Sequence, residues 1–226
     1  MKTHSKRYKE SVKQVEPDKV YQLKEAITVL KSLPKPKFDG SIDLHFNLGV
    51  DTKKSDQMIR GTVVLPHGTG KKVRVAVFCK GEHERQARES QADYVGGMEL
   101  IEKVAAGFLD FDCAIASPEM MKDLSKLGKV LGPRGLMPSP KTGTVTNDIS
   151  KAIDDVRKGK VEFRVDKQGG MHLSVGKVSF TEEQLNDNAS KIIEAVNEAR
   201  PASVKGKFVK SLSVTASMNP GLRIVC

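Results

Sequence analysis

The sequence has no tryptophan, few aromatic residues and no long uninterrupted apolar segment. Aromatic residues account for 5% of the 226 residues, while hydrophobic residues as a whole reach 38%, which is enough for a packed core. A membrane-spanning helix needs about 20 consecutive apolar residues, and residues 1–9 lack the apolar segment of a secretory signal. These absences predict a globular, cytoplasmic protein with no membrane partner.

Cysteine and histidine are also scarce, and neither shows the spacing of a metal site or a catalytic centre. Cys79 and Cys113 lie in apolar runs and Cys226 is the last residue, so the sequence has no CxxC pair. We expect these thiols to be buried and to pack as small apolar side chains. The histidines at positions 4, 45, 67, 83 and 172 include no pair at helical spacing, and no nucleophile elbow occurs. The sequence therefore predicts no metal, no cofactor and no enzyme activity.

Two glycine-rich segments invite comparison with nucleotide-binding loops. Residues 67–72 (HGTGKK) differ from a Walker motif, because Leu65 and Lys72 stand where the motif needs a glycine and a hydroxyl residue. Residues 128–135 (GKVLGPRG) fit neither the dinucleotide nor the P-loop spacing, and Pro133 removes a backbone donor. The alternative of a nucleotide-binding enzyme can be tested by thermal shift with ATP, GTP and NAD, since a bound ligand stabilises the fold. We expect no shift.

Basic residues outnumber acidic ones, and the excess lies towards the two ends of the chain. The formal net charge is +10 and the pI is about 9.4. Residues 68–158 hold 15 Lys and Arg against 13 Asp and Glu, a net charge of +2, whereas residues 1–67 and 159–226 hold 23 against 15, a net charge of +8. Clustered cations gain binding free energy by releasing counterions from phosphates. The distribution predicts a polyanionic partner that binds to the terminal segments.

Apolar residues in the two terminal segments follow helix and strand periods in turn. The three- and four-residue spacing from Val20 to Leu33 predicts one helix, which Pro34 ends. Alternation of apolar and polar residues predicts strands at about 41–48, 61–65, 161–165, 171–178 and 207–216. Thr181 and Gln184 predict a capping box at the start of a further helix. We interpret these elements as a single α+β sheet with one solvated face.

The middle of the chain has a different pattern. Residues 73–78 and 113–116 form short, almost continuous apolar runs, which are typical of strands buried on both faces. Helices are predicted at about 82–91, 98–106, 118–127 and 147–158. Strands that alternate with helices predict a doubly wound, Rossmann-like α/β domain of residues 68–158. It would be inserted into a discontinuous, open-sheet α+β domain of split β-α-β type, formed by residues 1–67 and 159–226, which we predict to be the RNA-binding domain.

Three segments of the discontinuous domain are candidates for RNA contacts, each with an alternative. Residues 2–13 contain five cations and one acid, and form either a phosphate-binding arm or a solvated, frayed terminus. Phe38 follows a Lys-Pro-Lys segment and either stacks on a base or ribose or caps the sheet from the core. Hydroxyl residues alternate from Ser211 to Ser217, where they either reach RNA 2′-hydroxyls or form an ordinary solvated strand face.

Several uncommon motifs occur in one order along the chain. They are residues 55–57 (SDQ), 60–63 (RGTV), 65–68 (LPHG), 92–97 (ADYVGG), 126–138 (KLGKVLGPRGLMP), 140–141 (PK) and 143–145 (GTV). With these motifs the chain resembles, over essentially its whole length, the bacterial type of the large-subunit ribosomal protein family "L-one". Members of that family form the mobile stalk beside the ribosomal exit site. The resemblance implies two domains, of which the discontinuous one binds large-subunit ribosomal RNA.

The resemblance also implies further partners and a set of RNA-binding residues. Its implied partners are exit-site transfer RNA, whose release after deacylation the family assists, and the chain's own messenger RNA, whose translation many members repress. It implies a monomer within the ribosome, located in the cytoplasm. The implied RNA-binding residues are Lys37, Phe38, Ser41, Asp166, Lys167, Ser211, Thr215, Ser217, Met218 and Gly221.

One segment departs from the family pattern. The family commonly has Thr-Met-Gly-Pro where this chain has Ser217, Met218, Asn219 and Pro220. Ser217 keeps the hydroxyl group. Asn219 tolerates a positive φ better than most residues but adds a side chain where close backbone approach is expected.

Overall fold

In a computed structural model, residues 5–16, 19–52, 54–204 and 206–225 are described and form a mixed α/β fold. The helices are α1 Lys6–Lys13, α2 Leu23–Ser32, α3 Glu82–Glu89, α4 Met98–Ala105, α5 Met121–Leu124, α6 Gly128–Leu131, α7 Ile149–Arg157 and α8 Glu182–Glu198. The strands are β1 Val20–Tyr21, β2 Ser41–Leu48, β3 Arg60–Val64, β4 Val75–Phe78, β5 Tyr94–Gly96, β6 Cys113–Ala116, β7 Lys160–Arg164, β8 Gly170–Lys177, β9 Val209–Ala216 and β10 Leu222–Ile224. Short 3-10 turns occur at Ser55–Gln57, Pro118–Met120, Ser125–Leu127 and Pro140–Thr142.

The chain divides into two compact units. The terminal unit consists of residues 1–70 and 161–226, and the middle unit of residues 71–160. Over the whole sequence the terminal unit has 22 Lys and Arg against 15 Asp and Glu, a net charge of +7, and the middle unit has 16 against 13, a net charge of +3. Among the described residues, every helix is too short or too polar to span a bilayer.

The terminal unit is built on a five-stranded sheet in the order β1-β10-β9-β2-β8. All neighbouring strands are antiparallel except β1 and β10, which are parallel. Alternate residues of β2 are buried, from Ile42 to Leu48, as the sequence pattern predicted. Helices α2 and α8 bury their apolar residues against that side of the sheet in one core, which includes Ile27, Leu30 and Ile192.

Three features of the terminal unit differ from the sequence prediction. Val20 does not begin a helix, because it lies in β1 and its side chain is 54% exposed. Strand β10 follows the predicted last strand and pairs with both β9 and β1. Strands β3 and β7 form a separate two-stranded sheet instead of joining a single sheet. Strands of two or three residues are too short to show a period, and strand order depends on pairing between distant segments.

The middle unit contains a parallel sheet in the order β5-β4-β6, and each face of the sheet is buried under helices. Val75 and Val77 pack with residues of α3 and α7, whereas Ala76 and Phe78 pack with residues of α4 and the segments after β6. Continuous apolar runs are therefore explained by burial on both sides. The sequence missed β5, and the helix predicted at 118–127 consists of α5 flanked by two 3-10 turns.

The two cysteines in the described part of the chain form no disulfide. Cys79 is buried, and burial together with the nearby carboxylate of Glu84 raises the pKa of its thiol to about 11. Cys113 is half-buried, so the prediction of buried thiols holds for Cys79 and is wrong for Cys113. Cys226 lies outside the described residues.

Candidate nucleic-acid interface

The five-stranded sheet buries one side and turns the other side, here called the open face, to solvent. On β2 the open-face residues are Ser41, Asp43, His45 and Asn47. Strand pairing extends them into the rows Ser41 with Lys177, Asp43 with Ser174 and Thr215, His45 with His172 and Ser213, and Asn47 with Gly170 and Ser211. At 3.3 Å per residue, the face is about 20 Å long from Ser41 to Asn47. Apart from Gly170, the residues of these rows on β9, β2 and β8 are polar.

The hydroxyl residues of β9 lie on the open face. Leu212, Val214 and Ala216 are buried, and the residues between them are half-exposed, as the alternation predicted. Ser211 lies opposite Asn47 at one end of the face, and Thr215 lies opposite Asp43 nearer the other end. Strand β9 therefore connects the two ends at which the other predicted site residues are found.

Two apolar side chains are exposed at the end of the open face where β2 begins and β9 ends. Phe38 is 55% exposed and Met218 is 66% exposed. Phe38 therefore does not cap the core, and the exposed alternative applies. Together with Lys35, Pro36, Asp39, Gly40, Val178 and Ser179, it lines an open cavity of about 330 Å³. Lys37, between Pro36 and Phe38, is exposed in the same segment.

Ser41 and Ser217 are brought together at this end and hold the two strands to each other. The Ser217 hydroxyl accepts a hydrogen bond from the backbone N–H of Ser41 at 3.0 Å and lies 3.3 Å from the Ser41 carbonyl oxygen, to which it can donate. Nζ of Lys177 donates to the Ser41 hydroxyl at 3.2 Å. The Ser217 hydroxyl is thus engaged within the protein, and its contribution here is to fix the residue that follows.

That residue, Met218, adopts a left-handed backbone conformation with a φ of 64°. The tolerance of Asn219 for a positive φ is not used, because Met218 is the residue of this turn that adopts one. The turn is closed by a hydrogen bond from the Asn219 N–H to the Ala216 carbonyl oxygen at 2.9 Å. Gly221 allows the chain to pass close to Thr215, since an added Cβ would lie 3.0 Å from the Thr215 methyl carbon.

Helix α1 is attached to this turn. Arg7 donates to the carbonyl oxygens of Met218 at 3.1 Å and of Pro34 at 3.2 Å. The buried Ser11 hydroxyl lies 3.4 Å from Oδ1 of Asn219. The alternative of a frayed terminus is therefore excluded for residues 6–13, whereas Lys2 lies outside the described residues. Lys6, Lys9 and Lys13 are exposed along the helix.

Asp166 and Lys167 lie at the opposite end of the open face, in the turn between β7 and β8. Oδ1 of Asp166 accepts hydrogen bonds from the N–H groups of Gln168 and Gly170, each at 2.8 Å. These backbone donors hold the pKa of the Asp166 carboxyl below its usual value. The Lys167 carbonyl oxygen accepts from the Thr52 hydroxyl at 2.8 Å. The carboxylate therefore stabilises the turn that presents Lys167.

Replacing Asp166 with asparagine is expected to lower the thermal midpoint near neutral pH and to leave it almost unchanged in acid. A carboxyl whose pKa is lowered by folding stabilises the folded state above its unfolded pKa, and this stabilisation is lost as the pH falls through the folded pKa. Thermal unfolding between about pH 7 and about pH 3 measures the difference. Asp56→Asn, at an exposed position, serves as the control, and a pH-independent deficit in Asp166→Asn would contradict the assignment.

A histidine pair, which was not predicted from the sequence, lies in the centre of the open face. Nδ1 of His45 lies 2.8 Å from Nδ1 of His172, and Nε2 of His45 lies 2.8 Å from the Thr215 hydroxyl oxygen. These three residues come from three strands, so no local spacing could reveal them. Within the described ranges, no group of three or more His, Cys, Asp or Glu side chains is placed to hold a metal ion.

The chain matches a known protein family over most of its length. A model of the "Ribosomal protein L1p/L10e family" matches residues 29–220. The chain belongs to this family. The resemblance drawn from the motifs is confirmed, and so are the predictions of a non-enzymatic protein and of a cytoplasmic, ribosomal location, since members of the L1p/L10e family are structural components of ribosomes.

Two bacterial relatives show how far the similarity extends. A protein of Fervidobacterium nodosum is 52% identical over 225 residues, which cover 99% of this chain and 96% of the relative. A protein of Solidesulfovibrio magneticus is 50% identical over 224 residues, which cover 99% of this chain and 95% of the relative. Both are named "Large ribosomal subunit protein uL1". The similarity to these L1p/L10e members includes both compact units.

Proposed function

We propose that the chain is a structural constituent of the large ribosomal subunit that binds large-subunit ribosomal RNA directly through the open face of its terminal unit. The observation that carries this proposal is the combination of a hydroxyl-rich open face with the exposed side chains of Phe38 and Met218 at its end. Small hydroxyls allow RNA to approach closely and can reach its 2′-hydroxyls, and an exposed aromatic ring can stack on an unpaired base. Lysines on α1 and around Phe38 add contacts to phosphates.

In this proposal the two compact units have separate roles. The terminal unit is the discontinuous RNA-binding domain, and it carries the larger excess of positive charge, +7 against +3. The middle unit is the inserted doubly wound domain, which belongs to the mobile stalk and assists release of deacylated transfer RNA from the exit site. One copy of the chain acts in each ribosome.

The predicted RNA-binding residues contribute in different ways. Phe38, Met218, Lys37 and Lys167 contact RNA through exposed side chains, and Ser211 and Thr215 through open-face hydroxyls. Ser41, Ser217, Asp166 and Gly221 mainly position these groups, because their polar atoms or close packing are already used within the protein. Repression of the chain's own messenger RNA would use the same surface, so the two RNAs should compete for it.

Ultraviolet cross-linking in cells tests the proposal most directly. We expect cross-links to be concentrated at one site of the large-subunit ribosomal RNA. The cross-linked peptides should include Phe38 or Met218. The chain's own messenger RNA is expected as a second, weaker species. Cross-links spread over RNAs in proportion to their abundance, or located only in residues 71–160, would contradict the assignment.

A further inference from the structure

Two imidazole rings from neighbouring strands lie against each other in the middle of the open face. His45 and His172 are opposite one another in the pairing of β2 with β8. Their ring centroids are 5.0 Å apart in an edge-to-face arrangement, and their Nδ1 atoms are 2.8 Å apart. The other ring nitrogen of His45 is bonded to Thr215. His172 is exposed on this face, and its second ring nitrogen is Nε2.

The hydrogens of this group can be placed by simple counting. A hydrogen must lie between two nitrogens that are 2.8 Å apart, and a neutral imidazole has only one N–H. If His172 supplies that hydrogen, His45 carries its own on Nε2 and donates it to Thr215. If His45 supplies it, Nε2 of His45 carries no hydrogen and accepts a hydrogen bond from the Thr215 hydroxyl. The neutral pair therefore permits Thr215 to face RNA as either a donor or an acceptor.

Protonation of the pair adds a third N–H hydrogen. Thr215 then has only one possible hydrogen-bonding role towards His45. One hydrogen is then shared between the Nδ1 atoms, and both Nε2 atoms carry a hydrogen. Thr215 must accept from His45, so its own hydrogen points away from the ring and is available to a ligand. The outer N–H of His172 also becomes a donor, and the pair carries a positive charge. Protonation thus gives the open face two donors and one cation, which suit an anionic oxygen.

We propose that the protonated His45–His172 pair is an RNA-binding element in which Thr215 and His172 donate to a phosphate group, so that RNA binding is linked to uptake of a proton. This inference rests on the proposed function, because it assigns the RNA to the same open face. It adds two residues to the interface and gives the Thr215 hydroxyl a defined direction.

The charged groups around the histidine pair are consistent with uptake of a proton by the pair when RNA binds. Burial and the neighbouring His172 lower the pKa of His45, while Asp43 on the same strand raises it. Asp166, in the turn before β8, interacts electrostatically with His172. On the other side, Arg223 of β10 lies in the same row beyond Ser213, and Val20 of β1, next to it, is uncharged. A bound phosphate adds a negative charge to this set and stabilises the protonated pair.

The sign of the linkage follows from this stabilisation. RNA prefers the protonated pair, so affinity is highest when the pH is low enough to protonate the pair in the free protein. Affinity falls as the pH rises through the range in which the bound pair loses its proton. For uptake of one proton the change is at most about tenfold per pH unit.

The experiment is a titration of the full chain with the ribosomal RNA fragment identified by cross-linking, between about pH 6 and about pH 8.5 at constant ionic strength. We expect the dissociation constant of the wild type to rise with pH and that of His172→Gln and His45→Gln to change little. His83→Gln, in α3 of the middle unit, should keep the wild-type dependence. Calorimetry in buffers of different ionisation enthalpy should detect proton uptake of up to about one proton in the wild type and little in the pair variants.

Variants of Thr215 distinguish the contribution of the Thr215 hydroxyl to RNA binding from that of the histidine pair. Thr215→Val should weaken binding and keep the pH dependence, whereas Thr215→Ser should keep both. Amide hydrogen exchange of β2, β8 and β9 verifies that each variant is folded. Wild-type binding that is independent of pH, or a dependence that persists in folded His172→Gln, would overturn the inference and leave the proposed function standing. Failure to bind ribosomal RNA at any pH would overturn both.

Discussion

Replacing Phe38 and Met218 together with alanine is expected to weaken binding to ribosomal RNA by about 2–5 kcal/mol, roughly 30- to 5000-fold. Stacking of a base on an aromatic side chain contributes about 1–3 kcal/mol, and burial of an exposed methionine adds about 1–2 kcal/mol. Both side chains are more than half exposed in the free protein, at 55% and 66%. Their loss therefore has little effect on folding. The measurement is a filter-binding or fluorescence titration at several salt concentrations.

The lysines of α1 provide the comparison. Lys6→Ala and Lys9→Ala each remove a phosphate contact, so each is expected to reduce the salt dependence of binding by about one ion and to weaken binding only a few-fold. Met98→Ala removes an exposed methionine of the middle unit and should leave binding unchanged. If the lysine variants lose as much affinity as the Phe38 and Met218 variant at matched salt, the binding is nonspecific electrostatics and the proposed interface is wrong.

Met218 permits a sharper control, because its backbone conformation and its side chain can be separated. A left-handed conformation costs a non-glycine residue about 1–2 kcal/mol, and glycine adopts it freely. Met218→Gly therefore removes the side chain while relieving the strain of the φ of 64°. We expect this variant to bind RNA more weakly and to be at least as stable as the wild type. Loss of affinity together with loss of stability would instead indicate a structural role for the side chain.

The sequence predicted the elements that carry a long local pattern. Eight alternating residues define β2, and the capping box of Thr181 and Gln184 is present with both of its hydrogen bonds. The burial of alternate residues along β9 was predicted for the same reason. Each of these features depends on residues a few positions apart, for which side-chain direction follows from the period of the helix or strand.

Features that depend on pairing between distant segments were not predictable in this way. His45 and His172 are 127 residues apart in sequence, and they become neighbours only because the β2–β8 register places them opposite each other. Shifting this register by one residue would move the whole set to the other face. The exposure of Phe38 likewise follows from packing around the start of β2. Composition alone did not decide whether its side chain is exposed or part of the core. The kinds of residue in the site and the hydroxyl face of β9 could therefore be predicted from the sequence. The hydrogen-bonded group of His45, His172 and Thr215 at its centre could not.

Replacing Asn188 with alanine is expected to destabilise the terminal unit by about 2–4 kcal/mol. This side chain is fully buried on the inner side of α8. Nδ2 donates to the carbonyl oxygens of Val175 at 2.8 Å and Gly68 at 3.0 Å, and Oδ1 accepts from the N–H of His67 at 3.1 Å. Alanine leaves all three backbone groups without this partner. Water can reach those of His67 and Gly68, which are partly exposed, whereas the Val175 oxygen is buried and bears most of the cost.

Hydrogen exchange of the β2 and β8 amides measures this loss within the terminal unit. Asn197→Ala, on an exposed turn of the same helix, is the matched control and should change stability by less than about 0.5 kcal/mol. Asn188→Leu keeps the branched shape and the number of non-hydrogen atoms of the side chain but removes its hydrogen bonds, so it should also be destabilised. If Asn188→Leu is as stable as the wild type, packing and not the three hydrogen bonds holds α8 to β8 and to the segment after β3. RNA affinity per folded molecule should remain unchanged in each variant, because Asn188 lies on the buried side of the sheet, away from the open face.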